Sequence, residues 1–297
     1  ELLQGACRVL VCHGSAEPPG AWELLVAAQP VQLPANARPG MEMIYSSGTT
    51  GRPKGVRRDF HCKYWGEVDS RNVEAMRWLS GSPRSVYLST APLYHSAPYR
   101  LLCGFLDAGA TAIIMANFDA TASLELIDRH AVTHSFLFPT ALKAMMKAVP
   151  EPAARYRLRL RAVMSAGEAV GDAVFHWCQR ALGVTVNEMF GQTEINYIVG
   201  NCGSFVGRDG RRRPGWPAKP GSMGRPYPGH RVAVIDDAGR ECPRGTPGDV
   251  AVHRLDVHGQ PDPVFFLGYW NQPAATAAKF TGSLADSWCR TGDTAVM

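Results

Sequence analysis

Short apolar or β-branched runs alternate with longer stretches of helical period along most of the chain, and this alternation predicts an α/β fold with parallel strands. The runs expected as strands are 8–12, 43–46, 85–89, 111–115, 133–138 and 185–189. Between them, 64–79, 98–107, 121–130, 141–149 and 172–182 carry helical spacing. In the stretch from Thr121, Leu124, Ile127 and Ala131 recur at intervals of three and four, an apolar stripe that docks a helix on a sheet. From 201 to 229 Gly, Pro and Arg dominate, which predicts a long loop or subdomain boundary. Beyond it, 231–235, 249–253 and 263–267 are strand-like runs with turn residues between them. The expected architecture is therefore stacked, mostly parallel sheets flanked by helices (1–200), followed by a smaller β-rich subdomain (201–297).

Composition narrows this picture. The chain has 297 residues, 45% hydrophobic and 19% charged, enough to bury a large core. Its net charge of +5 comes from scattered basic residues, so anionic small molecules are expected as partners and nucleic acid is not. Arg208, Arg211, Arg212 and Arg213 form one basic cluster among Gly and Pro, expected as a solvated loop more than a phosphate patch. The eight cysteines are dispersed with no metal-ligand spacing, so free thiols in a reducing, cytoplasmic setting are expected. No apolar run reaches the roughly 20 residues that span a bilayer. Glu1-Leu2-Leu3-Gln4 lacks a signal-peptide pattern, although the chain does not begin with Met and a targeting segment could precede it.

The strongest chemical signal is Ser46-Ser47-Gly48-Thr49-Thr50-Gly51-Arg52-Pro53-Lys54-Gly55. Glycines let consecutive amides converge on an anion, hydroxyls add donors, and Lys54 adds a point charge. A flexible hairpin loop explains Gly and Ser but not this density of hydroxyls ending in Pro-Lys-Gly after a strand. The spacing from Gly48 to Lys54 matches a Walker loop, yet Pro53 stands where that loop has Gly, and Gly55 where it has Ser or Thr. Pro53 also disfavours a helix starting just before it.

The loop resembles the signature of the adenylate-forming superfamily, and later motifs recur in the family's order. Ala91-Pro92-Leu93-Tyr94-His95-Ser96-Ala97 resembles the segment at the mouth of the acyl pocket. Ser165-Ala166-Gly167-Glu168-Ala169 resembles the adenine-side turn, and Asn187-Glu188-Met189-Phe190-Gly191-Gln192-Thr193-Glu194 the YGxTE motif. Gly268-Tyr269-Trp270 and Trp288-Cys289-Arg290-Thr291-Gly292-Asp293 resemble the GYW and W-x-R-T-G-D motifs.

The resemblance implies roles. Lys54, Thr193 and Glu194 would be catalytic, with Glu194 holding Mg2+ because that ion takes oxygen ligands. Nucleotide contacts would come from residues 46–54, from Gly167, Glu168 and Ala169, from Glu188, Met189, Phe190, Gly191, Gln192 and Thr193, and from Asp293 on the ribose. Phe190 departs from the usual Tyr but keeps the flat ring that stacking requires. His95 and Gly191 would border the acyl site, although a lone His between Tyr and Ser is also a common packed residue.

The implied reaction is ATP- and Mg2+-dependent formation of an acyl-adenylate and its transfer to coenzyme A, on an apolar medium-chain or aromatic acid. A catalytically incompetent nucleotide-binding fragment or interaction module, or adenylation without transfer to coenzyme A, is the alternative. The family places a hinge and a small lid domain beyond Asp293 and further strands ahead of Arg8. A chain without them is expected to bind ATP-Mg and to catalyse poorly.

Overall fold

The computed structural model describes residues 27, 28, 32, 42–46, 52–59, 75–207, 209–216, 218–283 and 286–297. Apart from residues 27, 28 and 32, these belong to one compact unit made of residues 40–62 and 68–297. The expected strand 8–12 lies outside the described residues, as does most of the expected helix 64–79, of which residues 75–78 are helical.

A seven-stranded sheet organises the unit. Its strands are β3 (Val86–Ser89), β4 (Thr111–Ile114), β5 (His134–Phe136), β6 (Ala162–Ser165), β7 (Val186–Gln192), β8 (Asn196–Gly200) and β11 (Arg225–Pro226), in the order β11-β8-β7-β6-β5-β3-β4. From β7 to β4 all neighbours are parallel, whereas β8 and β11 add on antiparallel. Parallel strands need crossovers, and the sequence supplies amphipathic helices for them. These are α1 (Ser96–Asp107), α2 (Ala120–Arg129), α3 (Pro139–Ala148) and α4 (Asp172–Trp177), the last continuing into a π-helical turn, Cys178–Leu182. Asp119 caps α2 by accepting from the Ala122 N–H, and Pro139 starts α3 where its missing N–H is harmless. Gly183, at φ +67°, ends the π turn in the left-handed region.

Alternate strand residues feed two cores, because successive side chains point to opposite faces. Leu88 and Val163 join Leu124, Ile127, Leu142 and Met145 beneath α2 and α3, which bears out the expected stripe at Leu124 and Ile127, whereas its third member, Ala131, lies beyond the end of α2 at φ +50°. Tyr87, Phe136 and Met164 join Leu101, Leu102 and Phe105 beneath α1.

Three smaller sheets complete the unit. β1 (Ile44–Ser46), β2 (Lys54–Arg57) and β14 (Gly268–Tyr269) form one, in the order β1-β2-β14. β12 (Val232–Ile235), β13 (Gly248–His253) and β15 (Trp288–Ala295) form another, and α5 (Pro273–Ala277) packs by β14. The third corrects an expectation: within the supposed loop 201–229, β9 (Cys202–Val206) and β10 (Arg212–Trp216) pair as a hairpin. Its inner face is aromatic, with the Phe205 and Trp216 rings 4.7 and 6.1 Å from that of Trp78. Contacts remote in sequence thus outweigh local Gly and Pro content. Arg211, Arg212 and Arg213 are exposed on it, and Arg213 pairs with Asp209 at 2.8 Å.

A second correction concerns 263–267, which is a turn. The Asp262 carboxylate accepts from the Val264 N–H at 2.9 Å, and Phe265 and Phe266 are buried in the core under β8 and β14. The apolar run reflects burial, not extension. Among the described cysteines all five are free, with Cys103 and Cys242 only half-buried. No helix among the described residues is long and apolar enough to cross a membrane.

His134, at the start of β5, is fully buried, with Nδ1 2.8 Å from the Thr133 hydroxyl. Burial, reinforced by the charge of Arg161, holds its pKa down to about 4. Unfolded histidine protonates near 6.5, so stability is fully present above that value and is lost as pH falls toward the folded pKa. The expected loss between neutral pH and about pH 4 is up to roughly 3 kcal/mol. Urea midpoints across that range should show it, and His134→Gln should flatten the profile.

Candidate active site

Hairpin β1–β2 presents the Ser/Thr/Gly loop. The strands pair antiparallel with Ser46 opposite Lys54, so the loop between them leaves and returns at one point of the sheet. A strand follows Lys54, not the helix that a Walker loop begins. Ser47, Gly48, Thr49, Thr50 and Gly51 lie outside the described residues. Arg52 and Pro53 are exposed, and Ser46 and Lys54 are half-buried.

The turn from β7 to β8 carries the second motif. Gly191 sits at a bulge, where a Cβ would lie 1.8 Å from the Asn196 carbonyl oxygen, so only glycine permits this closeness. Asn196 takes φ +54° to complete the reversal. Three contacts then fix what the turn presents. Arg58, just past β2, donates to the Thr193 carbonyl and, at 3.0 Å, to that of Val264. Tyr269 of β14 donates its hydroxyl to Glu194 Oε1 at 2.5 Å, both residues being 6% exposed. Lys54 Nζ stands 5.1 Å from the centroid of the Tyr269 ring. Lys54, Tyr269 and Glu194, from three distant segments, therefore form one cluster. Burial, and secondly the Glu194 carboxylate, push the Tyr269 hydroxyl well above the ordinary tyrosine range, so it remains a proton donor.

Gln192 links this turn to the last motif. Its amide donates to the Thr291 carbonyl at 2.7 Å and to Asp293 Oδ2 at 3.1 Å, and its oxygen accepts from Lys279 Nζ at 3.1 Å. Lys279 also donates to the Arg290 carbonyl at 3.2 Å. Beneath them Asp249 of β13 accepts from the Gly292 N–H at 3.0 Å and the Thr291 hydroxyl at 3.3 Å. Asp293 itself is exposed, leaving its carboxylate accessible to a diol. Asp249→Ala is expected to loosen this loop and to lower stability by about 1 to 2 kcal/mol, read as a fall in Tm.

On the other side, Gly167 follows β6 at φ +98°, with Glu168 and Ala169 exposed beside it. The Val170 N–H donates to Glu188 Oε1 at 3.3 Å and ties this turn to β7. Burial pushes the Glu188 pKa upward, partly offset by that N–H. Glu188 and Phe190 are half-buried, whereas the Met189 side chain packs into the core under α1, which leaves only its backbone on the side of Glu188 and Phe190. This follows from strand alternation.

Next to the turn lies a cavity of about 340 Å³, bordered by His95, Phe138, Gly167, Gly191, Thr193 and Tyr197 among others. His95 precedes α1, is exposed and meets Phe138 edge-on at 6.2 Å, which places it at the cavity and not in a packed core. The remaining lining is largely apolar, including Met76, Ala97, Leu101 and Ala166.

Among the described residues no three His, Cys, Asp or Glu side chains gather as a metal site. Glu194 offers a single hard carboxylate, with Tyr269 on one oxygen. That donor set suits Mg2+, which takes one or two carboxylates and completes its shell with phosphate oxygens and water.

Sequence reasoning overlooked Arg58, Asp249 and Lys279 and gave Tyr269 no role. Tyr269 stood within a matched motif, which was a usable signal. The other three are single charged residues, Asp249 at the start of an expected strand and Arg58 and Lys279 in unremarked segments, and only the fold brings them to the site.

The family model described as AMP-binding enzyme matches residues 8–259. An uncharacterised acyl-CoA ligase of Bacillus subtilis is 32% identical over 241 residues, covering 80% of this chain and 41% of the relative. Benzoate–CoA ligase of Thauera aromatica is 34% identical over 255 residues, covering 84% and 43%. Among solved structures, ATP-bound MatB from Rhodopseudomonas palustris shares the fold with a TM-score of 0.72 at 23% identity, over 94% of this chain and 50% of that one. The acyl-CoA synthetase of Brucella canis aligns with a TM-score of 0.70 at 27% identity, over 96% and 49%. The chain spans 41% to 51% of the length of the curated relatives it matches. A family match over most of the chain agrees with the ordered motifs that the fold gathers around the β7–β8 turn, and the chain belongs to the family of AMP-binding enzymes.

Proposed function

We propose that the protein activates a carboxylic acid with ATP and passes the acyl group to coenzyme A. The observation that carries this is the assembly of Lys54, Tyr269, Glu194, Gln192 and Asp293 around one turn at the rim of an apolar cavity. A carboxylate oxygen of the acid attacks the α-phosphorus, the bond to the bridging oxygen breaks, and pyrophosphate leaves with its electron pair. The thiol of coenzyme A then attacks the acyl carbon, AMP departs, and the thiol proton is released.

In this reading the chain's work is positioning and charge stabilisation. Phe190 stacks on adenine and Asp293 accepts from the ribose hydroxyls. Lys54 faces the phosphates, and Thr193 donates to the α-phosphate. Glu194 would hold Mg2+, whose charge would favour the departure of pyrophosphate. His95 and Gly191 border the acyl group. The apolar lining supports an aromatic or medium-chain acid, and the benzoate relative supports the aromatic class.

The test is incubation of the intact protein, not of these 297 residues alone, with ATP, Mg2+, coenzyme A and a panel of such acids, following acid-dependent pyrophosphate release and thioester formation. Both are expected for at least one acid. ATP binding with silence across the panel would instead make the chain a nucleotide-binding module.

A further inference from the structure

Within the mostly apolar cavity wall stands one fully charged side chain, Arg100, and its placement bears on which acid fits. Arg100 is on α1, four residues after Ser96, and both line the cavity. In a helix that spacing puts them on one face about 6 Å apart along the axis. Ser96 adjoins His95 at the rim, so Arg100 lies one turn further along the wall. Its Nη2 pairs with Glu42 Oε1, with the two side chains 27% and 28% exposed. A guanidinium carries five N–H donors in a fixed fork, and one carboxylate oxygen engages only part of it.

Three kinds of acyl tail can be weighed against that wall. A plain hydrocarbon tail would cover the guanidinium without giving it an acceptor, which is unfavourable for a charged group. A tail ending in a second carboxylate would meet Glu42 as a like charge beside its partner. A neutral oxygen accepts from the fork, leaves the ion pair intact and keeps the wall electrically neutral.

We infer that Arg100, held in place by Glu42, is a specificity-determining residue that selects acids carrying a neutral hydroxyl or carbonyl oxygen on the tail, separated from the reacting carboxylate by a ring or a short chain. This rests on the cavity being the acyl site of the proposed reaction.

The experiment is calorimetric titration of the protein, with ATP and Mg2+ present, using benzoate, para-hydroxybenzoate, terephthalate, octanoate and its ω-hydroxy derivative. In whichever skeleton binds, the hydroxylated acid is expected to bind about tenfold tighter than its parent, the usual worth of one charge-assisted hydrogen bond. Arg100→Met should remove that advantage and bind the parent acid at least as tightly as the original protein does, which also shows that the variant is folded. Glu42→Gln should weaken the hydroxylated acid selectively and less.

Equal affinity for parent and hydroxylated acids overturns the Arg100 assignment alone, as does a loss in Arg100→Met shared by both. Terephthalate binding tightest would replace the neutral oxygen with a second carboxylate. Failure of every acid to bind to protein that does bind ATP overturns the acyl-site reading and this inference together.

Discussion

Gly191→Ala is expected to lower acid-dependent pyrophosphate release at least a hundredfold and to destabilise the fold by about 3 kcal/mol. The added methyl would lie 1.8 Å from the Asn196 carbonyl oxygen, 2.6 Å from its carbon and 2.8 Å from the Tyr197 Cα. All three are backbone atoms, so no side chain can swing aside. Relief requires opening the β7–β8 turn, which carries Gln192, Thr193 and Glu194. A displacement of about 1 Å at such groups is enough for a hundredfold loss, because positioning is most of what they contribute. Pyrophosphate release and a denaturant titration read the two effects separately. A variant of near-normal activity would mean that the turn is not held as tightly as the structure places it.

Glu194→Gln is expected to reduce kcat/KM by a factor of about 100 to 1,000, the range seen when one preorganised electrostatic group is removed from a site. The substitution keeps size and an acceptor for Tyr269 but deletes the charge that a hard cation needs. The Mg2+ concentration for half-maximal activity should therefore rise, whereas thermal stability should change little. Tyr269→Phe separates the carboxylate's charge from its orientation. It removes only the hydroxyl, so an effect of about tenfold is expected, again appearing mainly in the Mg2+ dependence. If both variants titrate with Mg2+ like the parent, Glu194 does not serve the metal, and its burial against Tyr269 is structural.

How much of this was legible beforehand varies by element. Leu124 and Ile127 announced a docked helix, since one-sided burial of a helix leaves a period that survives in the sequence. β6 left no such trace. Its four residues, Ala162–Ser165, are buried on both faces and follow an arginine-rich stretch, so they show neither alternation nor length. The β9–β10 hairpin was hidden for a different reason: Trp78, more than 100 residues earlier, supplies its inner packing.

The site shows the same division. The loop ending at Lys54 was readable as phosphate chemistry from its own residue types, whereas the metal and ribose roles of Glu194 and Asp293 were implied only by the resemblance of the ordered motifs to the family. Which residues meet was not readable. That Gln192 reaches Asp293, that Tyr269 lies between Lys54 and Glu194, and that Arg100 stands in the cavity wall depend on sheet order and strand register. Sequence by itself determined the chemistry available to this protein, through local residue types. Only the tertiary structure decided its geometry, because contacts between distant segments arise from burial shared across the whole fold and leave no local pattern.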